Sequence, residues 1–165
     1  MTPVIRPLER KDMLDVAAVV ASAFADRKGI VPDRYQPIPI IQRLQWSLNG
    51  AGEPGVPRYL VAEVDGEVVG VGGYAVARFG GATWELLLAA TKPELQGRGI
   101  GHQLLLARWD AIRAESPDEG GVVVVSTKNA PRFLRYGFHQ GPRNPVTGAY
   151  LMWAMVPAKA GRQAA

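Results

Sequence analysis

A glycine-rich loop is the part of this chain whose residue types and spacing most clearly predict chemistry. Its sequence, Gln96–Gly101 (QGRGIG), lies between an apolar stretch and a run whose apolar residues repeat at helical spacing. The first turn of a helix exposes unpaired backbone N–H groups and a positive dipole end, and glycines without a Cβ atom let phosphate oxygens approach those donors. The loop therefore predicts a phosphate or pyrophosphate site, with a merely flexible surface loop as the alternative.

Two familiar phosphate-binding loops fit this spacing poorly. The dinucleotide fingerprint follows the first strand of its domain and needs a glycine where this chain has His102, three residues after Gly99. The P-loop ends in Gly-Lys-Ser or Gly-Lys-Thr, which this loop lacks. A nicotinamide-dependent enzyme and a nucleoside triphosphatase are therefore both disfavoured.

The composition argues against several other kinds of site. The 165 residues include no cysteine and two histidines, His102 and His139, so neither a thiolate or histidine-rich metal site nor a cysteine nucleophile is expected. The net charge of +4 suggests an anionic partner, but no stripe of interleaved basic and aromatic residues is evident. We therefore expect no metal site and no nucleic-acid partner.

The N-terminal residues and the longest apolar run indicate where in the cell the protein is expected. The first residues carry acidic side chains among the basic ones and lack an apolar stretch followed by a small-residue cleavage site, so they do not predict a signal peptide. The longest apolar run, Ala149–Val156, is far shorter than the roughly 18 residues of a membrane helix. The expectation is a cytoplasmic protein with no membrane partner.

The succession of apolar patterns predicts alternating strands and helices. A short strand at Val4 and Ile5 precedes an amphipathic helix that begins near Met13, and a second helix is predicted over Ile40–Leu48. The turn pair Asp65-Gly66 suits a hairpin. The other predicted elements are strands at 58–64, 68–79, 84–90, 122–126 and 149–156 and helices at about 99–114 and 131–136.

This order indicates an α/β or mixed α+β fold around one mixed sheet. Near-continuous apolar strands on either side of the third helix suit a sheet that is covered on both faces. No linker is long enough to separate domains, so residues 1–156 are predicted to form a single domain. Residues 157–165 are expected to be a flexible tail.

The loop and its surroundings resemble the GNAT superfamily of N-acetyltransferases. That family carries the pattern Gln/Arg-x-x-Gly-x-Gly/Ala, which Gln96, Gly99 and Gly101 match. A strand followed by proline matches at Ala89–Pro93, and an Asn-x-x-x-aromatic-x-x-x-Gly-Phe pattern matches over Asn129–Phe138. The resemblance implies a strongly twisted mixed sheet of about six to seven strands flanked by about four helices.

The resemblance also implies that acetyl-CoA is the co-substrate. Its pyrophosphate would lie on backbone N–H groups at the start of the helix, and its pantetheine arm would run along the preceding strand, where two parallel strands part. A backbone N–H near Thr91 would polarise the thioester carbonyl. The implied cofactor-binding residues are Ala89, Ala90, Thr91, Gln96, Gly97, Arg98, Gly99, Ile100, Gly101, His102 and Asn129. Ser126 is the alternative to Asn129.

Two side chains are candidates for proton transfer during acetylation. An amine with a pKa of about 10.4 must lose a proton before it attacks, and Glu85, in an otherwise apolar strand, is the candidate general base. A solvent-facing strand position is the alternative for Glu85. The family often protonates the leaving thiolate with a tyrosine at the position of Phe133, so nearby Tyr136 becomes the candidate general acid, with core packing as its alternative.

The function implied by the resemblance is direct transfer of acetyl from acetyl-CoA to an amine, without a covalent acetyl-enzyme. A small-molecule acceptor is slightly favoured, because no long acidic groove for a peptide is evident, and Gly29–Pro39, the second helix and Gln140–Gly148 would shape its site. A module that binds CoA or acyl-CoA as a sensor, without turnover, is the alternative. Family members are often dimers, so a homodimer is also considered.

Overall fold

Seven strands form one mixed sheet in a computed structural model, which describes residues 2–50 and 52–160. The strands are β1 (Val4–Pro7), β2 (Arg58–Val64), β3 (Glu67–Val76), β4 (Thr83–Thr91), β5 (Gly121–Thr127), β6 (His139–Arg143) and β7 (Tyr150–Val156). The helices are α1 (Met13–Phe24), α2 (Pro37–Asn49), α3 (Ile100–Glu115) and α4 (Ala130–Leu134). The sheet order is β1-β2-β3-β4-β5-β7-β6, in which β4 and β5 are parallel and the other neighbours are antiparallel. This arrangement confirms the predicted fold class.

Helices lie on both faces of the sheet and enclose two main groups of buried side chains. On one face α1 and α2 pack on the β1–β4 half of the sheet through residues such as Val16, Leu44 and Val71. On the other face α3 packs against the sheet, and Ile112 and Met152 belong to its buried core. None of the helices within the described ranges is long and apolar enough to cross a membrane.

Two elements differ from the sequence-based predictions. Helix α2 begins at Pro37 rather than Ile40, because proline at the first helical position lacks only an N–H that the first turn leaves unpaired. Strand β6 is not among the predicted strands, because it contains Gly141 and Pro142 and shows no apolar alternation. The proline is tolerated there because β6 forms an edge of the sheet. Of the predicted tail, residues 157–160 form neither helix nor strand, and residues 161–165 lie outside the described residues.

A β-bulge at Leu88 changes the direction of the side chains along β4. Gly72 pairs with Ala89 and Gly73 with Leu87, which leaves Leu88 as an extra residue with a φ of +20°. Before the bulge, Leu86 packs in the core beneath α3, whereas after it Ala90 packs in the core beneath α1. Regular alternation would place Leu86 and Ala90 on the same face of the sheet. The bulge therefore turns the side chains that follow it to the opposite face.

The parallel pairing between β4 and β5 stops before this bulge. Only Thr83–Glu85 pair with Val122–Val124, although both strands continue for several residues. The ends of β5 remain paired with β7 on the other side. The two parallel strands therefore part after Glu85 and leave a wedge-shaped opening in the sheet, as the family resemblance implies.

Candidate active site

A cavity of about 770 Å³ lies at the diverging ends of β4 and β5, and we call it the loop cavity. Its walls come from the end of β4, the glycine-rich loop, the start of α3 and the segment from Asn129 to Tyr136. The lining includes every sequence-predicted cofactor-binding residue except Arg98, namely Ala89, Ala90, Thr91, Gln96, Gly97, Gly99, Ile100, Gly101, His102 and Asn129. The fold thus brings together residues that the sequence separates by up to 40 positions.

The backbone of the glycine-rich loop accounts for two of its glycines. Gly97 has a φ of +79° and Gly99, the N-cap of α3, has a φ of +84°, values that side chains with a Cβ atom adopt with strain. Arg98 stands between these two turns, is exposed, and lies outside the cavity lining. No side chain in the described ranges caps α3, so its first N–H groups lack a side-chain acceptor.

Two arginines contribute positive charge to the loop cavity, although the sequence patterns did not single them out. Arg132 and Arg135 both line it and make no ion pair within the described ranges. The guanidinium of Arg132 lies so close to Gly101 that an added Cβ atom would be 2.7 Å from Nη2. The i, i+3 spacing of these arginines after Asn129 is the sequence signal that places them on one side of a short helix.

Asn129 has a local structural role at the start of α4. Its side-chain oxygen accepts a hydrogen bond from the backbone N–H of Arg132 at 3.4 Å, as expected of an N-cap residue. Its side chain also lies in the lining of the loop cavity. Its predicted contact with the pantetheine arm stays a prediction, and the capping bond holds the residue in place beside the cavity.

Tyr136 reaches the loop cavity, whereas Phe133 does not. The Tyr136 hydroxyl lies 3.0 Å from Nδ1 of His102, and the two rings are stacked with centroids 5.3 Å apart. Both residues line the loop cavity. Phe133 instead packs edge-on against Phe138 in the core beneath α3, with centroids 5.2 Å apart. Of these two aromatic residues, only Tyr136 brings a hydroxyl group to the loop cavity.

A second cavity of about 340 Å³ contains Glu85, and we call it the Glu85 cavity. Glu85 is half-buried, and its side chain makes no hydrogen bond or ion pair within the described ranges. Leu88 lines the Glu85 cavity and the next residue, Ala89, lines the loop cavity. Adjacent residues of the β4 bulge therefore belong to the walls of the two cavities.

Helix α2 is the one expected acceptor-shaping segment that lines the Glu85 cavity, and it contributes Arg43 and Trp46. The segments Gly29–Pro39 and Gln140–Gly148 line neither cavity.

A buried arginine holds the bulge from the α3 side. Arg108 is 3% exposed and donates from Nη1 to the carbonyl oxygens of Gly73, at 3.2 Å, and Leu87, at 3.4 Å. Its Nε donates to the carbonyl oxygen of Leu104 at 3.1 Å. A Cβ atom at Gly72 would lie 2.9 Å from that Nε, so glycine is needed there. Burial lowers the pKa of Arg108 to about 10, and the group remains charged at neutral pH.

Sequence reasoning missed Arg108, although a signal was present. The residue occupies a position of α3 that is four residues after Leu104 and four before Ile112, both fully buried. An arginine within such an apolar stripe must find several acceptors when it is buried. Its partners are backbone carbonyls of β3 and β4, which carry no sequence pattern.

A family model described as "Acetyltransferase (GNAT) domain" matches residues 56–140, which run from just before β2 through the glycine-rich loop into β6. The chain belongs to the GNAT acetyltransferase family. Comparison with curated protein sequences returns no match.

Solved structures share the GNAT fold with this chain. The PaiA N-acetyltransferase of Thermoplasma acidophilum, in complex with coenzyme A, is 18% identical with a TM-score of 0.71, covering 94% of this chain and 99% of that chain. A GNAT acetyltransferase of Brucella melitensis, in complex with acetyl-CoA, is 21% identical with a TM-score of 0.67, covering 97% and 92%. The ribosomal-protein alanine N-acetyltransferase of Escherichia coli is 15% identical with a TM-score of 0.67, covering 99% of both chains.

The loop cavity of this GNAT domain has three features that favour an anionic group. It combines an uncapped helix N-terminus, glycines that leave the backbone accessible, and the guanidinium groups of Arg132 and Arg135. Each of these features favours a phosphate group. Within the described ranges no group of three or more His, Asp or Glu side chains is placed to hold a metal ion.

A substitution at Gly101 tests whether the start of α3 is the phosphate site. In Gly101→Val the side chain would meet the Arg132 guanidinium and cover the first turn of α3, so the Kd for CoA should rise about tenfold or more. Gly81→Val is the matched control, because a Cβ atom there meets no atom within 4 Å. Isothermal titration with CoA gives both values. An unchanged Kd in Gly101→Val would place the phosphates elsewhere.

Proposed function

We propose that this chain transfers the acetyl group of acetyl-CoA directly to the amine of a small-molecule acceptor. The observation that carries this proposal is that two cavities have adjacent residues of the β4 bulge in their walls. One has the groups expected to bind phosphates, and the other has the half-buried carboxylate of Glu85. A thioester that enters from one side can therefore meet an amine that enters from the other.

The residues of the loop cavity would bind and orient acetyl-CoA. The N–H groups at the start of α3, together with Arg132 and Arg135, would hold its phosphates. The unpaired end of β4, from Ala89 to Thr91, would offer backbone groups to the pantetheine amides. When bound, acetyl-CoA supplies a thioester carbonyl whose carbon is the electrophile.

The bulge identifies a candidate for the backbone donor that polarises this carbonyl. The family resemblance places the donor near Thr91, whereas the bulge and the junction of the two cavities lie at Leu88 and Ala89. We therefore assign the donor role to a backbone N–H of Leu88 or Ala89. A donor held at a fixed position stabilises the negative charge that develops on the oxygen without reorganising during the reaction.

Glu85 would act as the general base. The acceptor amine is protonated at neutral pH, and the carboxylate would accept one proton from it, directly or through water. The free amine then forms the N–C bond, its nitrogen releases a second proton to water, and the C–S bond breaks as the thiolate leaves. Glu85 lies three residues before the bulge, and its side chain lines the cavity on the acceptor side.

Tyr136 would donate the proton that the departing thiolate takes up. Replacing it with phenylalanine should lower kcat by about tenfold, because a thiol with a pKa of about 8.5 leaves unassisted at a cost of roughly 1 to 2 kcal/mol. Steady-state thiol release at saturating acetyl-CoA measures this effect. Tyr150→Phe is the control, since Tyr150 lines neither cavity. Equal kcat values in the wild type and Tyr136→Phe would limit Tyr136 to packing.

The size of the Glu85 cavity supports a small acceptor. A cavity of about 340 Å³ is at the lower end of the range for small-molecule sites. The fold does not decide the acceptor, since a structural neighbour is named for acetylating a ribosomal-protein alanine. A cytoplasmic location is part of the same proposal.

A homodimer is also proposed, and light scattering would measure the oligomeric state.

Thermal-shift titration followed by thiol release tests the proposed function. Acetyl-CoA at about 100 times its Kd should stabilise the protein by about 2.7 kcal/mol, and an amine acceptor should then release CoA thiol catalytically. Stabilisation without thiol release from any amine would support the alternative, a CoA or acyl-CoA sensor. The absence of a thermal shift with any CoA species would overturn both.

A further inference from the structure

The wall of the Glu85 cavity contains one buried hydroxyl group, that of Tyr59. Tyr59 is 3% exposed, lines this cavity, and its hydroxyl has no hydrogen-bond partner within the described ranges. Its ring lies across Gly73, where an added Cβ atom would be 2.5 Å from Cε1, so the ring is held in position. Burial raises the pKa of Tyr59 to about 12, so the hydroxyl carries its proton at neutral pH and is free to donate it in a hydrogen bond.

A guanidinium lies beside this hydroxyl. Arg43 of α2 lines the same cavity, is half-buried, and its charge opposes the effect of burial on the pKa of Tyr59. Arg43 makes no ion pair within the described ranges, with Glu85 or with any other acid. The guanidinium is also close enough to the Tyr59 oxygen to act as a donor to it, which leaves the Tyr59 O–H proton without an acceptor within the described ranges. A buried donor is rarely left in this state, which indicates a ligand that accepts from the Tyr59 hydroxyl and from the adjacent guanidinium.

The two charged side chains in the cavity wall have opposite signs and make no ion pair with each other. Among the lining residues Glu85 carries the negative charge and Arg43 the positive charge. The other lining residues are neutral: Trp46, Gly55, Pro57, Tyr59, Ala75, Leu87 and Leu88. An ammonium group is attracted to Glu85 and a carboxylate to Arg43. A purely cationic amine would leave Arg43 and Tyr59 without a partner, so the wall favours a molecule that carries both charges.

We propose that the acceptor is a free amino acid or a similar zwitterion, whose carboxylate binds Arg43 and the Tyr59 hydroxyl while its amine lies at Glu85. This inference rests on the proposed function for the identity of the amine that reacts. It adds the group that selects the acceptor, and it assigns Arg43 and Tyr59 as residues that determine specificity. The volume of about 340 Å³ accommodates a molecule of this size.

Binding to CoA-saturated protein tests this inference without requiring turnover. The probes are the standard L-amino acids and short ω-amino acids, each compared with its own carboxamide, which keeps the amine and removes the negative charge. We expect at least one acid to bind about tenfold more tightly than its amide, because charge-assisted hydrogen bonds to a guanidinium are lost in the amide. Isothermal titration calorimetry measures both members of each pair.

Three variants show whether the preference comes from the assigned residues. Arg43→Met should remove the preference for the acid, and Tyr59→Phe should weaken acid binding about threefold or more and amide binding by less, because the amide oxygen accepts a weaker hydrogen bond than the carboxylate. Arg27→Met, which changes the net charge equally at an exposed position outside the cavity, should keep the preference. Circular dichroism and CoA affinity confirm that each variant is folded.

Two results would overturn the inference. One is that no acid binds more tightly than its amide, and the other is that Arg43→Met keeps the preference of the wild type. Failure of the proposed function gives a different result, in which a zwitterion binds with the expected dependence on Arg43 and no acetylated product forms from acetyl-CoA.

Discussion

Replacing Glu85 with glutamine should lower kcat for the best acceptor by about 100-fold, while the Kd for CoA stays unchanged. Glutamine keeps the shape of the side chain but cannot accept a proton from the attacking amine, and general-base assistance contributes roughly 10²-fold or more. The affinity for CoA should be preserved, because Glu85 lines the Glu85 cavity and not the loop cavity. Initial rates of thiol release and calorimetry with CoA give the two values.

The pH dependence separates the base from a residue that only attracts the amine. As the pH rises towards the pKa of the acceptor amine, more amine is free without assistance, so the deficit of Glu85→Gln should narrow. Loss of an attractive charge alone would raise KM and leave kcat near the wild-type value. Glu119→Gln, an exposed change far from both cavities, serves as the control. A kcat equal to that of the wild type would rule out Glu85 as the base.

Replacing Arg108 with methionine should destabilise the protein by about 2 kcal/mol. Methionine fills a similar length but leaves the buried carbonyl oxygens of Gly73 and Leu87 without the donor they share. The loss of a buried, desolvated charge offsets part of this cost. For a chain of this size the melting temperature should fall by about 4 to 8 °C, which differential scanning calorimetry measures. Arg113→Met, on the exposed side of the same helix, should show little change.

The same substitution should also affect catalysis beyond its effect on stability. Arg108 lines neither cavity, but it binds backbone carbonyls of β3 and β4 beside the bulge, next to the opening where the acetyl group would be held. Well below the melting temperature, Arg108→Met should therefore reduce kcat more than it raises the KM for acetyl-CoA. Arg108→Lys should rescue it only in part, because one ammonium group cannot reproduce the planar fork of the guanidinium. If folded Arg108→Met retained the wild-type kcat, the bulge would not depend on this residue.

The glycine-rich loop could be predicted from the sequence because its constraints are local. Gly97 and Gly99 both adopt positive φ, and the apolar repeat that follows them marks α3. The hairpin between β2 and β3 turns at Asp65 and Gly66, which also have positive φ. In each case the backbone conformation restricts the residue type, so the pattern is visible in the chain itself.

The acceptor side of the site could not be predicted in the same way. The bulge falls inside the apolar run Leu86–Ala90, where no glycine or proline marks it, and it determines which later side chains share a face. Arg43 and Tyr59 belong to different elements and meet Glu85 only through tertiary packing. The roles of Arg132 and Arg135 likewise depend on how the short helix α4 faces the start of α3.

The stoichiometry of one reaction tests the central claim that acetyl passes directly between the two cavities. Acetyl-CoA, a zwitterionic acceptor that binds the CoA-saturated protein, and the enzyme are incubated, and CoA thiol, N-acetyl product and the intact mass of the protein are measured in the same samples. The account predicts one N-acetyl product for each thiol released, an unmodified protein mass, and formation of both products about 100-fold more slowly in Glu85→Gln. Thiol release without N-acetyl product, or an acetylated protein that appears before the product, would contradict it.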